Sequence, residues 1–219
     1  LKPFIDFKIK TSYMFLEPQL NSSPFKPQSG WIEVVCGSMF SGKTEELIRR
    51  VRRAVIAQQK VLIFKPALDT RYNDSQVVSH DQNSLVSISV ETSEEIAAKV
   101  EGYDVIAIDE AQFFDNEITN VCVKLANEGY RVIVCGLDMD FEGMPFGPMP
   151  ELMSVAEFVT KLHAICASCG DVASYSYRLV ASKNKVLLGE KDAYEARCRK
   201  CFTMGKNREN PTISKSKII

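Results

Sequence analysis

The sequence predicts an α/β fold, and three observations carry that prediction. Val- and Ile-rich runs such as DVIAID and RVIVCG are continuous rather than alternating, as in strands of a parallel sheet covered on both faces. Segments with the apolar spacing of helices alternate with them. A glycine-rich loop, GSMFSGKT, stands between the first strand and the first helix. In such a sheet, ligands gather beyond the carboxyl ends of the strands.

The elements follow in order. Residues 1–29 contain the Pro- and Ser-rich stretch NSSPFKPQS and read as a flexible extension. WIEVVCG reads as a strand, KTEELIRRVRRAVIAQ as a helix, KVLIFKP as a strand and LVSISV as one further strand. TSEEIAAKVE carries a capping signature and so opens a helix. DVIAID is a strand, NEITNVCVKLANEG a helix closed by Gly129, and YRVIVCGLD a strand. This divides the chain into a sheet domain at 30–162, a small cysteine-bearing unit at 163–203 and a polar tail at 204–219 that is expected to fray.

Composition excludes some functions. Across 219 residues, 27 basic side chains face 28 acidic ones for a net charge of −1. A protein held to nucleic acid by a global basic field carries a marked excess of Lys and Arg, so no nucleic-acid partner is expected. Seven cysteines are too sparse for a disulfide-stapled secreted fold. Asp6, Lys8 and Lys10 break every apolar run near the start. No stretch approaches the roughly 18 apolar residues of a membrane span. The expected setting is the cytoplasm, without membrane attachment.

Gly37, Ser38, Met39, Phe40, Ser41, Gly42, Lys43 and Thr44 satisfy GxxxxGK[ST] between a strand and a helix. The glycines let the backbone turn its N–H groups onto phosphate oxygens, and the helix adds its positive end. Lys43 would reach the terminal phosphates of ATP, and Thr44 would offer its hydroxyl to Mg²⁺. Asp109, closing DVIAID, suits Mg²⁺ or its water. Glu110, next to it, points the opposite way or sits at the strand's lip, where it can take a proton. The motif alone leaves two enzymes open: a kinase, or an ATPase in which Glu110 polarises water.

Cys166 with Cys169, and Cys198 with Cys201, form two CxxC pairs. Four thiolates close a tetrahedral structural Zn²⁺ site. Cys36, Cys122 and Cys135 lie in apolar runs and read as core thiols. A zinc ribbon can touch nucleic acid, and Arg197, Arg199 and Lys200 surround the second pair. Asp171, Glu190, Asp192 and Glu195 interrupt that basic character, so the segment reads better as a loop pinned by the metal that closes over a ligand. The run Arg49, Arg50, Arg52 and Arg53 reads as a solvated or subunit-facing surface.

GSMFSGKT, IDEAQFF at 108–114, GLDMDFEGMPFG at 136–147 and the two CxxC pairs, in this order, resemble the cytosolic, zinc-containing thymidine kinases over roughly residues 30–202. The resemblance implies a P-loop NTPase-like parallel-sheet domain with a C-terminal zinc-binding lasso domain. It implies transfer of the γ-phosphate of ATP to the 5′-hydroxyl of thymidine, and of deoxyuridine, giving the monophosphate and ADP. Glu110 then matches the general base, and Lys43, Thr44 and Asp109 match the phosphate and Mg²⁺ contacts. Asp69, Thr70, Arg71 and Gln112 group with the ATP contacts, Arg71 neutralising charge on the transferred group. Phe141 matches the ring stacked on thymine, with Met39, Phe113, Leu137 and Phe146 shaping the same pocket. His163 stands where many members have Thr beside the base's methyl group. Lys185, Val186, Leu187, Leu188, Gly189 and Tyr194 match the lasso, whose backbone reads the pyrimidine edge. The resemblance also implies a homotetramer and feedback inhibition by dTTP. Without it, most pocket residues would read as ordinary core and Arg71 as a solvated loop charge.

Overall fold

A computed structural model describes residues 29–68, 76–78, 84–180 and 193–209. In chain order the elements are β1 (Trp31–Gly37), α1 (Lys43–Ile56), β2 (Val61–Pro66), β3 (Gln76–Val78), β4 (Ser84–Val86), β5 (Ile88–Val90) and α2 (Glu94–Ala97). There follow β6 (Val105–Ile108), a 3-10 turn (Ala111–Phe113), α3 (Ile118–Asn127), β7 (Arg131–Gly136), α4 (Met149–Val155) and β8 (Phe158–Leu162). The C-terminal unit contains β9 (Ala164–Ile165), β10 (Val172–Ala173), β11 (Tyr175–Arg178), β12 (Tyr194–Arg197) and α5 (Arg199–Glu209). The expected extension up to residue 28 and the tail from residue 210 lie outside the described residues.

Six strands form one sheet in the order β5-β2-β6-β7-β1-β8, and every pairing in it is parallel. Alternate side chains of each strand serve opposite faces. Val34, Cys36, Ile106, Ile108, Val132 and Val134 pack with Ile118, Cys122 and Leu125 of α3. Val105, Ala107, Ile133 and Cys135 pack on the other face with Leu47, Val51 and Ala54 of α1. Two buried faces require apolar residues at successive positions, which is why these strands read as unbroken Val/Ile runs.

Three local expectations need correction. LVSISV is not one strand: Ser87 separates β4, which pairs antiparallel with β3, from β5, which joins the main sheet beside β2. TSEEIAAKVE forms only the single turn of α2. Its Glu95 does accept the N–H groups of Glu91 and Thr92, as a capping acid does. Ser93, however, gives its hydroxyl to Asp115 Oδ1 at 2.6 Å and its N–H to Oδ2 at 3.0 Å, tying the turn to the approach to α3. The third correction concerns α5, which continues past residue 203 to Glu209.

The arginine run is also not uniformly solvated. Arg49, Arg52 and Arg53 are exposed, but Arg50 is fully buried. It pairs with Glu33 Oε2 at 2.8 Å and Glu46 Oε1 at 2.8 Å, and donates to Thr160 Oγ1 at 2.9 Å. Glu33, also fully buried, takes Arg131 Nε at 2.7 Å on its other oxygen. One carboxylate therefore joins β1, α1 and β7, and Arg50 extends the link to β8. Glu33→Gln leaves two buried guanidinium groups without that anion. We expect these uncompensated buried charges to cost about 3–5 kcal/mol in urea unfolding, and a loss under 1 kcal/mol would show that the two cations do not depend on the Glu33 charge.

Candidate active site

The carboxyl ends of β1, β6 and β7 lie side by side, with Cys36 opposite Gly136 and Ile108 opposite Val134. From β1 the chain enters the phosphate loop at Gly37, whose φ is 145°. A Cβ there would stand 2.3 Å from the carbonyl oxygen of Leu162, so only glycine fits. The Ser38 carbonyl accepts Ser41 Oγ at 2.8 Å and Lys43 Nζ at 2.9 Å. Lys43 thus lies back against its own loop. The Met39 N–H donates to Ser176 Oγ at 3.0 Å, joining the loop to β11. Gly42, with φ 84°, turns the chain into α1, and Thr44 lies in its half-buried first turn.

Asp109 leaves β6 by giving its N–H to the Phe64 carbonyl at 2.9 Å. Its buried carboxyl accepts the Glu110 N–H at 2.9 Å. Burial first, and the neighbouring Glu110 charge second, push this carboxyl up to about 7, against opposing hydrogen bonds and Lys43. Glu110 turns sharply, with φ 52° and ψ 40°. It sits at the strand's lip, and its Oε2 accepts the side-chain amide of Gln112. Gln112 is buried and also accepts the Leu137 N–H at 2.9 Å, so its amide is engaged with Glu110 and Leu137.

The residues expected around the nucleoside come from the turn after β6, the segment after β7 and the C-terminal unit. Phe113 meets Phe146 edge to face at 5.6 Å. The Asp140 carboxylate accepts the N–H groups of Glu142 at 2.9 Å and Met144 at 3.0 Å, shaping the turn that carries Phe141. The guanidinium of Arg178 lies 3.5 Å from the centre of the Phe141 ring. The same group donates to the buried Tyr194 hydroxyl from Nε at 3.1 Å and Nη2 at 2.8 Å. His163 is exposed, and its Nδ1 is 3.1 Å from Ser174 Oγ. Asp69, Thr70, Arg71 and the lasso positions Lys185, Val186, Leu187, Leu188 and Gly189 lie outside the described residues.

The four paired cysteines converge. Their sulfurs all lie within 4.8 Å of one another, and Cys169 Sγ is 3.6 Å from Cys198 Sγ. Sulfurs about 2.3 Å from a tetrahedral ion are about 3.8 Å apart, so the quartet can hold a metal ion. Burial disfavours a Cys166 thiolate, but N–H groups of Cys198, Ser168 and Cys169 hold that thiol down at about 6. Contact with the Cys169 and Cys198 sulfurs pushes Cys201 up to about 12. Four adjacent thiolates repel one another, and a cation at their centre removes that conflict.

A family model described as thymidine kinase matches residues 30–202. The chain belongs to the thymidine kinase family. A thymidine kinase of Rhodothermus sp. (strain ITI 518) is 59% identical over 173 residues, spanning 79% of this chain and 81% of the relative. One of Bacteroides thetaiotaomicron is 55% identical over 184 residues, spanning 84% and 92%. One of Porphyromonas gingivalis is 54% identical over 173 residues, spanning 79% and 85%.

Within this family frame, the structure brings the phosphate loop, Asp109, Glu110, Gln112, Leu137 and the Phe113/Phe146 pair to one end of one sheet. Two contributors were not singled out from the sequence. Ser176 and Arg178 sit in SYSYRL, where nothing in the spacing separates a buried contact from a surface strand. Asp109 supplies a pH test. Its folded value stands above the ordinary carboxylate range of about 4, so the folded chain holds this proton more tightly. The resulting stability is full below about pH 4 and declines as pH rises to about 7. In Mg²⁺-free and nucleotide-free protein, wild type should lose up to about 4 kcal/mol relative to Asp109→Asn between these limits. Urea unfolding across the pH series checks this, and a constant difference would refute it.

Proposed function

We infer that this chain transfers the γ-phosphate of ATP to the 5′-hydroxyl of thymidine, and of deoxyuridine, giving the nucleoside monophosphate and ADP. The observation that carries the reading is the position of Glu110 directly after β6, at the sheet end that bears the phosphate loop, where its carbonyl accepts the N–H of Phe113 and that ring meets Phe146 edge to face. A carboxylate there suits a base acting on a hydroxyl brought to the donor phosphate. Backbone N–H groups of residues 37–44 would take the phosphates, and Lys43 would exchange the Ser38 carbonyl for phosphate oxygens. Phe141 would stack on the pyrimidine, with Met39, Leu137 and Phe146 around it. The catalytic gain is then chiefly positioning and charge stabilisation, as expected for phosphoryl transfer.

Thr44 and Asp109 would hold Mg²⁺ with the nucleotide. The fit rests on Asp109, whose buried carboxylate is disfavoured until a cation stands before it. When bound, Mg²⁺ neutralises charge on the phosphate oxygens. The cysteine quartet would hold a structural Zn²⁺ with no open position for chemistry. The proposal also includes pyrimidine-edge reading by the lasso at 185–189, Asp69, Thr70 and Arg71 near the phosphates, a homotetramer, dTTP feedback and a cytoplasmic setting. These rest on the family resemblance.

Glu110→Gln should lower kcat about 100- to 10,000-fold while thymidine binding persists. The check is transfer of labelled phosphate from ATP to thymidine, beside titration of thymidine binding. Near-normal turnover would remove Glu110 as the base, and DNA-stimulated phosphate release without nucleoside would favour an ATPase. Metal analysis should return about one zinc per chain, and Cys198→Ser should lose it and melt on the order of 10 °C lower. Full zinc occupancy in that variant would contradict the assigned site.

A further inference from the structure

Gln112 lies on the 3-10 turn directly after Glu110, and its side chain is buried. Its amide oxygen accepts the Leu137 N–H at 2.9 Å, while its amide nitrogen donates to Glu110 Oε2. A backbone N–H can only donate, so the oxygen must face Leu137 and the NH₂ must face Glu110. The direction of the amide is therefore set by the main chain at the end of β7.

The surroundings are shaped to this side chain. A Cβ on Gly136 would come 2.8 Å from Gln112 Oε1 and 2.7 Å from Met149 Sδ. A Cβ on Gly147, whose φ is 50°, would come 2.3 Å from the Gln112 carbonyl oxygen. Leu137, the anchor, also begins the segment carrying Phe141 and Phe146. Glu110 has several side-chain torsions to fix and a left-handed backbone that few non-glycine residues adopt. A rigid donor from a buried neighbour fixes them.

We propose that Gln112 is the positioning residue for the base: it aligns the Glu110 carboxylate to the Leu137 N–H, and so to the segment lining the nucleoside pocket. The proposal rests on the reading of Glu110 as proton acceptor. Misplacing a reacting group by about 1 Å costs on the order of 100-fold in rate. Loss of the Gln112 donor should therefore appear in kcat rather than in thymidine KM.

The test uses the full chain and compares Gln112→Glu, Gln112→Met and Glu110→Gln, singly and combined, by phosphoryl-transfer kinetics and thermal melting. Gln112→Glu keeps an oxygen for Leu137 but replaces the donor to Glu110, so kcat should fall about 10- to 100-fold with thymidine KM within about threefold. Gln112→Met, lacking both bonds, should lose at least as much. On the Glu110→Gln background neither change should lower the residual rate by more than about twofold, because the two residues act as a unit. A folded Gln112 variant with kcat within about threefold of wild type would overturn the positioning role, as would an undiminished loss on the Glu110→Gln background. If neither variant folds, the role is structural and the proposal fails. Near-normal turnover by Glu110→Gln alone would instead overturn the base assignment on which the proposal stands.

Discussion

A parallel sheet covered on both faces confines its polar chemistry to the strand ends, and this constraint organises the molecule. β1, β6 and β7 are neighbours whose interiors are buried throughout. At their carboxyl ends the ladder stops, and main-chain groups need other partners. Met39 finds the Ser176 hydroxyl and Leu137 finds the Gln112 amide. The Asp109 carboxyl and the Glu110 N–H satisfy one another. The groups assigned to chemistry are thus also those completing the sheet's hydrogen bonding.

That edge requires α1 to be held at a definite rotation. Apolar packing of Leu47, Val51 and Ala54 is non-directional and tolerates some slippage. The three directed bonds of Arg50, Nη1 to Glu33, Nε to Glu46 and Nη2 to Thr160, do not. Glu33 is shared with Arg131. The desolvation cost of three buried charges is large, so their value lies in geometry more than in net stability. The phosphate loop, spanning β1 and α1, inherits the alignment.

These roles were unevenly legible in the sequence. The phosphate loop could be read because its conformation is written in glycines: Gly37 admits no Cβ, and Gly42 adopts a positive φ. The thiol quartet could be read because paired spacing places two sulfurs on one ion. Arg50 could not be separated from Arg49, Arg52 and Arg53, because its partner Glu33 lies on another element and a charge run does not report which member turns inward. The capping signature at residues 92–95 was real, but it marks where a helix starts and not how far it runs, and the Ser93 hydroxyl goes instead to Asp115, distant in sequence. Gln112 was grouped with ATP contacts through its motif. Its bond from the Leu137 N–H could not be read there, because only the β6–β7 adjacency brings Leu137 near.

The C-terminal unit shows why a metal would be needed for stability rather than catalysis. The cluster around its thiols is made of Ala164, Ala173 and Ala196 with Cys166 and Cys198. Alanines bury little apolar area, and units this small rarely supply enough core alone. A second cluster, Tyr175 stacked on Phe202 at 4.5 Å with Tyr177, sits toward α5. Between them the unit must keep Arg178 buried against Phe141 and Tyr194, at the cost of removing a guanidinium from water. An ion held by Cys166, Cys169, Cys198 and Cys201 would fix both ends of the unit and offset ordering entropy that the small core cannot. Holding β11 in place by that means would also hold Ser176 on the phosphate loop and Arg178 on the Phe141 ring, so a closed metal site without chemistry of its own would still steady both sides of the proposed active site.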